Sequence, residues 1–111
     1  MRRTFTIAVF SATVLASASA VWALSGATHS VDQQKLQFSR SELTIKKGDS
    51  IEFTNSDRTA HNILIQSAGM FTDSGLQQPG QPTTVPFTKD GVFKVNCAIH
   101  PKMKMTVTVE K

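Results

Sequence analysis

The closing stretch Met105-Thr106-Val107-Thr108-Val109-Glu110 alternates apolar and polar side chains without a break. A period of two fits an extended strand with one buried face. It does not fit a helix, whose apolar stripe recurs every three or four residues. The same alternation runs through Leu36 and Phe38, Leu43 and Ile45, and Ile51 and Phe53. It returns at His61-Asn62-Ile63-Leu64-Ile65 and over residues 92–97, which follow the turn signal Asp90-Gly91. Residues 83–88 form a further strand candidate, with Pro86 marking an edge or an irregularity. Between these runs, residues 66–82 are rich in Gly, Ser, Gln and Pro and read as a long connection. About seven to eight short strands with regular turns predict an all-β Greek-key β-sandwich.

Ahead of the alternating part stands Met1-Arg2-Arg3-Thr4, then an apolar run over 5–24 rich in Ala, Val and Ser, with small-residue patterns at Ala18-Ser19-Ala20 and Val21-Trp22-Ala23. This is the layout of a secretory signal peptide, expected over 1–27. A flexible polar lead-in is expected over 28–34, and the folded domain over 35–111. Export places the protein in the periplasm; if the leader stays uncleaved, its length suits a membrane anchor. A chain of about 84 residues remains after cleavage near Ala27, a size with modest capacity to bury surface. Its single cysteine cannot form an internal disulfide, so a lone thiol in an exported protein needs another reason to be there.

Losing Arg2 and Arg3 brings the net charge from +4 to about +2. With no run of Lys and Arg interleaved with aromatics, a nucleic-acid partner is not expected.

The segment Cys97-Ala98-Ile99-His100-Pro101-Lys102-Met103 supplies the reason for the thiol. One thiolate, an imidazole and a thioether lie within seven residues, and a second imidazole, His61, starts an upstream strand. Together they make the donor set of a mononuclear blue-copper site, which suits both Cu(II) and Cu(I). Zinc is a poorer match because methionine is not among its usual ligands. Strand parity sends Cys97 inward with Phe93 and Val95, and His61 inward with Ile63 and Ile65. Met105 shares parity with Val107 and Val109 and is assigned to the core. Met103, in the loop before that strand, is the candidate axial ligand. His29, in the lead-in, is left outside the site.

At these residues the chain resembles a cupredoxin of the plastocyanin/azurin type over about 41–110. Its short Cys-x-x-His-x-x-Met loop and its Ala60-His61-Asn62-Ile63 step are most similar to those of amicyanin. The resemblance implies one copper ion held by His61, Cys97, His100 and Met103. It also implies that Asn62 ties the two ligand segments together, with its N–H donating to the Cys97 sulfur. The implied role is one-electron transfer rather than catalysis, by a monomer that spans no membrane once the leader is removed. The implied partners are redox proteins, a donor dehydrogenase and an acceptor cytochrome or oxidase.

Three positions depart from the amicyanin pattern, one of them Met105, which replaces a small residue. Ile99 stands where a proline is usual and keeps its N–H, which predicts a second donor to the thiolate. Lys102 replaces an aromatic residue, so the expected docking surface of Met70, Phe71, Pro101 and Lys102 around His100 is partly charged. Copper storage or delivery is the competing role; it favours several exposed Met or His ligands and an open site. Multicopper catalysis would need a second set of histidines, and a binuclear site a second cysteine.

Overall fold

The computed structural model describes residues 26–67 and 69–111, together with Thr4 and Ala8. Except for Thr4, Ala8, Gly26 and Ala27, the expected leader lies outside the described residues. Among those described there are nine strands and no helix: β1 (Thr28–Gln34), β2 (Gln37–Phe38), β3 (Glu42–Lys46), β4 (Ser50–Asn55), β5 (His61–Ser67), β6 (Met70–Gln77), β7 (Thr83–Pro86), β8 (Gly91–Cys97) and β9 (His100–Glu110).

They form a four-stranded sheet in the order β2-β1-β4-β7 and a five-stranded sheet in the order β3-β9-β8-β5-β6. β1 runs parallel to β4 and β3 parallel to β9, while the other pairs are antiparallel. Alternation builds the core as expected. Phe93, Val95 and Cys97 of β8 and Met103, Met105, Val107 and Val109 of β9 are buried, facing Val31, Ile51, Phe53 and Val85 of the other sheet. Phe87 and Phe93 meet edge to face at 5.6 Å, and Phe38 and Phe53 at 6.1 Å. Truncating a fully buried Phe93 to alanine costs about 3–5 kcal/mol in a core of this kind.

The strand total exceeds the expected seven to eight because two segments read as irregular are paired strands. The lead-in over 28–34 is β1, in register with β4 from Thr28↔Ser50 to Gln33↔Asn55. Its sequence gives little apolar signal because backbone pairing and polar contacts hold it. Asp32 Oδ1 accepts from Thr54 Oγ1 at 2.7 Å and from Ser56 Oγ at 2.9 Å, and only Val31 and Gln33 are buried. Even Gly26 and Ala27 are part of the packed unit. A Cβ on Gly26 would lie 2.2 Å from the Gly48 carbonyl oxygen, and Ala27 N–H donates to Asp49 Oδ1 at 2.9 Å.

The second segment is β6, taken from sequence as part of a long connection. It pairs with β5 from Ser67↔Met70 to His61↔Gln77, with a register shift between Asn62 and Leu64. At the sheet edge only Gln77 is buried, so β6 needs no apolar alternation. Leu36, expected in a strand with Phe38, instead sits with Lys35 in the turn between β1 and β2. Both have left-handed backbones (φ 57° and 56°), and Leu36 is 48% exposed.

Candidate metal centre

Antiparallel pairing gathers the start of β5, the end of β8 and the start of β9 at one end of the sandwich. His61, Cys97 and His100 occupy those three positions, and their potential ligand atoms all lie within 4.8 Å of one another. Cys97 Sγ is 3.7 Å from His61 Nδ1 and 3.7 Å from His100 Nδ1. The two rings are 5.0 Å apart, inclined at 67°. His61 and Cys97 are buried, whereas His100 is half-buried and reaches the surface.

The expected loop over 97–103 is shorter than the sequence suggested. After a register shift at Asn96/Cys97, Cys97 pairs with His100, leaving only Ala98 and Ile99 in the turn. Met103 therefore lies within β9 and shares its inward face with Met105. What separates the two methionines is position along the strand. Lys104 opposes Asn96 and Met105 opposes Val95, whereas Met103 falls in the irregular stretch between the Cys97↔His100 and Asn96↔Lys104 pairs, on the Cys97 side of Met105. Met103 is 1% exposed and lines the same hollow as His100.

Asn62 makes both contacts expected of it. Its N–H donates to Cys97 Sγ at 3.3 Å, and its Oδ1 accepts from Ala98 N–H at 3.2 Å. Its Nδ2 donates to Asp73 Oδ1 at 2.6 Å, so β6 anchors the residue that joins the two ligand segments. Ile99, by contrast, gives no second donor. Among the described residues Asn62 supplies the one backbone N–H on the sulfur, and the tight turn leaves Ile99 49% exposed.

Asp57 was not singled out from the sequence, yet its Oδ2 lies 2.6 Å from His61 Nε2. An ionised carboxylate only accepts, so Nε2 carries the proton and the Nδ1 lone pair is left facing Cys97. The same carboxylate accepts from Lys35 N–H at 2.6 Å and Leu36 N–H at 3.1 Å. Burial pushes the Asp57 pKa up, but the His61 hydrogen bond and the Leu36 and Lys35 N–H groups outweigh it, holding the carboxyl below its ordinary 3.8. The available sequence signal was an acidic residue four positions before the candidate ligand, in a turn opened by Asn55-Ser56.

Behind Asp57 a buried amide cluster joins the sheets. Gln33 Nε2 donates to Gln77 Oε1 at 2.6 Å, Asn55 Nδ2 to the Gln77 carbonyl at 3.1 Å, and Asp57 N–H to Asn55 Oδ1 at 2.9 Å. The cluster spans both sheets, although the buried Gln33 Oε1 has no hydrogen-bond partner in it.

The expected docking residues divide. Pro101 and Lys102 border the hollow beside His100. Met70 and Phe71 do not, because they start β6 and so lie at the far end of β5 from His61. There they border a separate hollow of about 310 Å³ with Thr72, Pro86 and Lys89.

The donor set fits copper. Two imidazole Nδ1 atoms face a buried sulfur, the Met103 side chain is buried in the strand that begins at His100, and an oriented carboxylate fixes one tautomer. Residues 26–110 match the family of copper binding proteins of plastocyanin/azurin type. The chain belongs to this family. Amicyanin-alpha of Methylorubrum extorquens is 32% identical over 112 residues, covering 94% of this chain and 92% of that protein. Plastocyanin of Ulva prolifera is 33% identical over 71% of this chain and 92% of its own length. Among solved structures, a reduced Cu(I) form of an amicyanin variant superposes with a TM-score of 0.69 at 26% identity, covering 75% of this chain and 82% of that one. The all-β cupredoxin fold and a copper cofactor follow from this membership.

Proposed function

We propose that the protein is a periplasmic type 1 copper protein that carries single electrons between redox proteins. His61 Nδ1, Cys97 Sγ, His100 Nδ1 and the Met103 thioether would hold the metal. The bound copper supplies the one-electron change between Cu(II) and Cu(I).

The observation that carries this reading is the asymmetry of exposure. His61, Cys97 and Met103 are sealed in the core while His100 alone of the four reaches the surface. Electrons can then cross at one edge while water and small ligands stay out. Asp57 fixes the His61 ring, and Asn62 holds Cys97 and the 97–100 turn to β5 and β6. Ligands held this way rearrange little when the charge at their centre changes by one, which keeps the barrier to transfer low.

Storage or delivery favours an open, exchangeable site, and three buried ligands argue against it. Catalysis at a second metal centre finds no support either, since His61, Cys97 and His100 make the single metal-holding His/Cys/Asp/Glu cluster among the described residues. Copper titration with voltammetry decides. The carrier reading expects one copper per chain and a reversible one-electron wave. Rapid loss of copper to a chelator with no reversible wave would mean delivery instead.

A further inference from the structure

One hollow opens beside His100, and a second, along β8 and β9, shares Pro101 with it. The first, of about 490 Å³, is lined by Lys35, Leu36, Ile99 and Lys102; the second, of about 830 Å³, by Lys94, Asn96, Cys97 and Lys104. Four of the ten basic residues of 26–111 line these hollows, and none of the eight acidic ones does. Of the neighbouring carboxylates, Asp57 is turned inward onto His61 and the Lys35 and Leu36 N–H groups, Asp73 accepts from Asn62 and Gly75, and Glu42 stands beside Thr106 at the rim of the larger hollow. At the centre stand the exposed apolar side chains of Leu36 and Ile99, 48% and 49% exposed.

The Lys35-Leu36 turn is not a relaxed one. Both residues carry a Cβ and both adopt the left-handed conformation that L residues avoid. Asp57 holds them there through two N–H groups. Backbone strain retained beside a functional centre marks a conformation that the surroundings over-determine. Its effect here is to present one lysine and one leucine at the mouth of the His100 hollow.

We infer that this surface, an apolar centre of Leu36, Ile99 and Pro101 within an arc of Lys35, Lys94, Lys102 and Lys104, docks an acidic redox protein. The partner carries carboxylates around an apolar contact at its own electron-transfer edge. The lysines steer the encounter and the apolar centre excludes water. One electron passes from the reduced protein to the oxidised partner across the His100 edge, and no atom or proton moves with it. The inference rests on the carrier reading and adds the chemistry of the partner.

The test is stopped-flow oxidation of the reduced, copper-loaded protein by a c-type cytochrome of net negative charge, against one of net positive charge and similar potential, from low to high salt. With the negative cytochrome the rate falls as salt rises. Lys35→Glu with Lys102→Glu, or Lys94→Glu with Lys104→Glu, lowers the low-salt rate on the order of tenfold, and glutamine in the same places lowers it less. The visible spectrum stays unchanged, and the positive cytochrome reacts faster with the glutamate variants. Lys46→Glu with Lys47→Glu, at the opposite end of the sandwich, leaves the rate near wild type. A rate indifferent to salt and to the four lysines, or an equal loss from the Lys46/Lys47 pair, overturns the docking inference alone. Absence of a reversible wave overturns the carrier reading and the inference with it.

Discussion

Asp57 Oδ2 lies 2.6 Å from Nε2 of His61, and the same carboxylate carries the N–H groups of Lys35 and Leu36. One side chain thus fixes the ring of a proposed metal ligand and the shape of the surface beside it. Asp57→Asn keeps the volume but loses the full negative charge on the imidazole N–H. Removing such a partner costs on the order of 10–100-fold in metal affinity. Copper titration against a competing chelator is expected to show a drop in that range with the sandwich still folded. Unchanged affinity would mean that packing alone orients His61.

Asn62→Ala removes the side-chain bonds to Ala98 and Asp73 but leaves the backbone donor to Cys97 in place. The Ala98 N–H and the Asp73 carboxylate each lose a partner, for a destabilisation of about 1–3 kcal/mol. Urea unfolding of the copper-free protein measures this loss. The copper–thiolate absorption of the loaded variant is expected to persist, because the sulfur keeps its N–H.

At the opposite end, Asp49 links the start of the domain to the turn between β3 and β4. It accepts from His29 Nε2 at 2.9 Å, Lys46 N–H at 3.0 Å and Ala27 N–H at 2.9 Å. The His29 hydrogen bond, followed by that from Lys46 N–H, holds its carboxyl below the ordinary 3.8 despite an opposing contribution from burial. A carboxylate depressed on folding stabilises fully above its unfolded value, and that contribution is lost as pH falls through the lower folded value. Asp49→Asn is therefore expected to unfold at lower urea near pH 6, with the two proteins converging below pH 3.8. A constant gap at all pH values would contradict the assignment.

The seating of Gly26 against Gly48 bears on processing. If export removes a leader, the mature protein is expected to retain Gly26 and Ala27, since cutting after Ala27 would discard the N–H that Asp49 holds. N-terminal sequencing of the exported protein checks this. A start at Thr28 would contradict it, and Gly26→Ala is expected to lower stability because the new Cβ meets backbone rather than a movable side chain.

The sequence made the sandwich and its ligand end legible wherever strands bury one face. Phe93, Val95 and Cys97 announce their direction by alternation, as does His61 with Ile63 and Ile65. β1 and β6 escaped notice because backbone hydrogen bonds and polar contacts hold them, and an edge strand with one buried residue has no apolar period to detect. The bulge at Asn96/Cys97 escaped for a related reason: a register shift leaves no mark on composition, so a hairpin with a two-residue turn read as a longer loop. Asp57 and the Lys35-Leu36 turn are distant in sequence from Cys97 and from each other. Only the parallel pairing of β1 with β4 brings them to one end.

Cys97 carries the central claim, and the visible spectrum of the Cu(II)-loaded protein reads it directly. An intense thiolate-to-copper charge-transfer band at one copper per chain, abolished in Cys97→Ser while far-ultraviolet circular dichroism remains that of a folded β-protein, is the expected result. A colourless wild-type complex, or a Cys97→Ser variant that keeps the band, would contradict it.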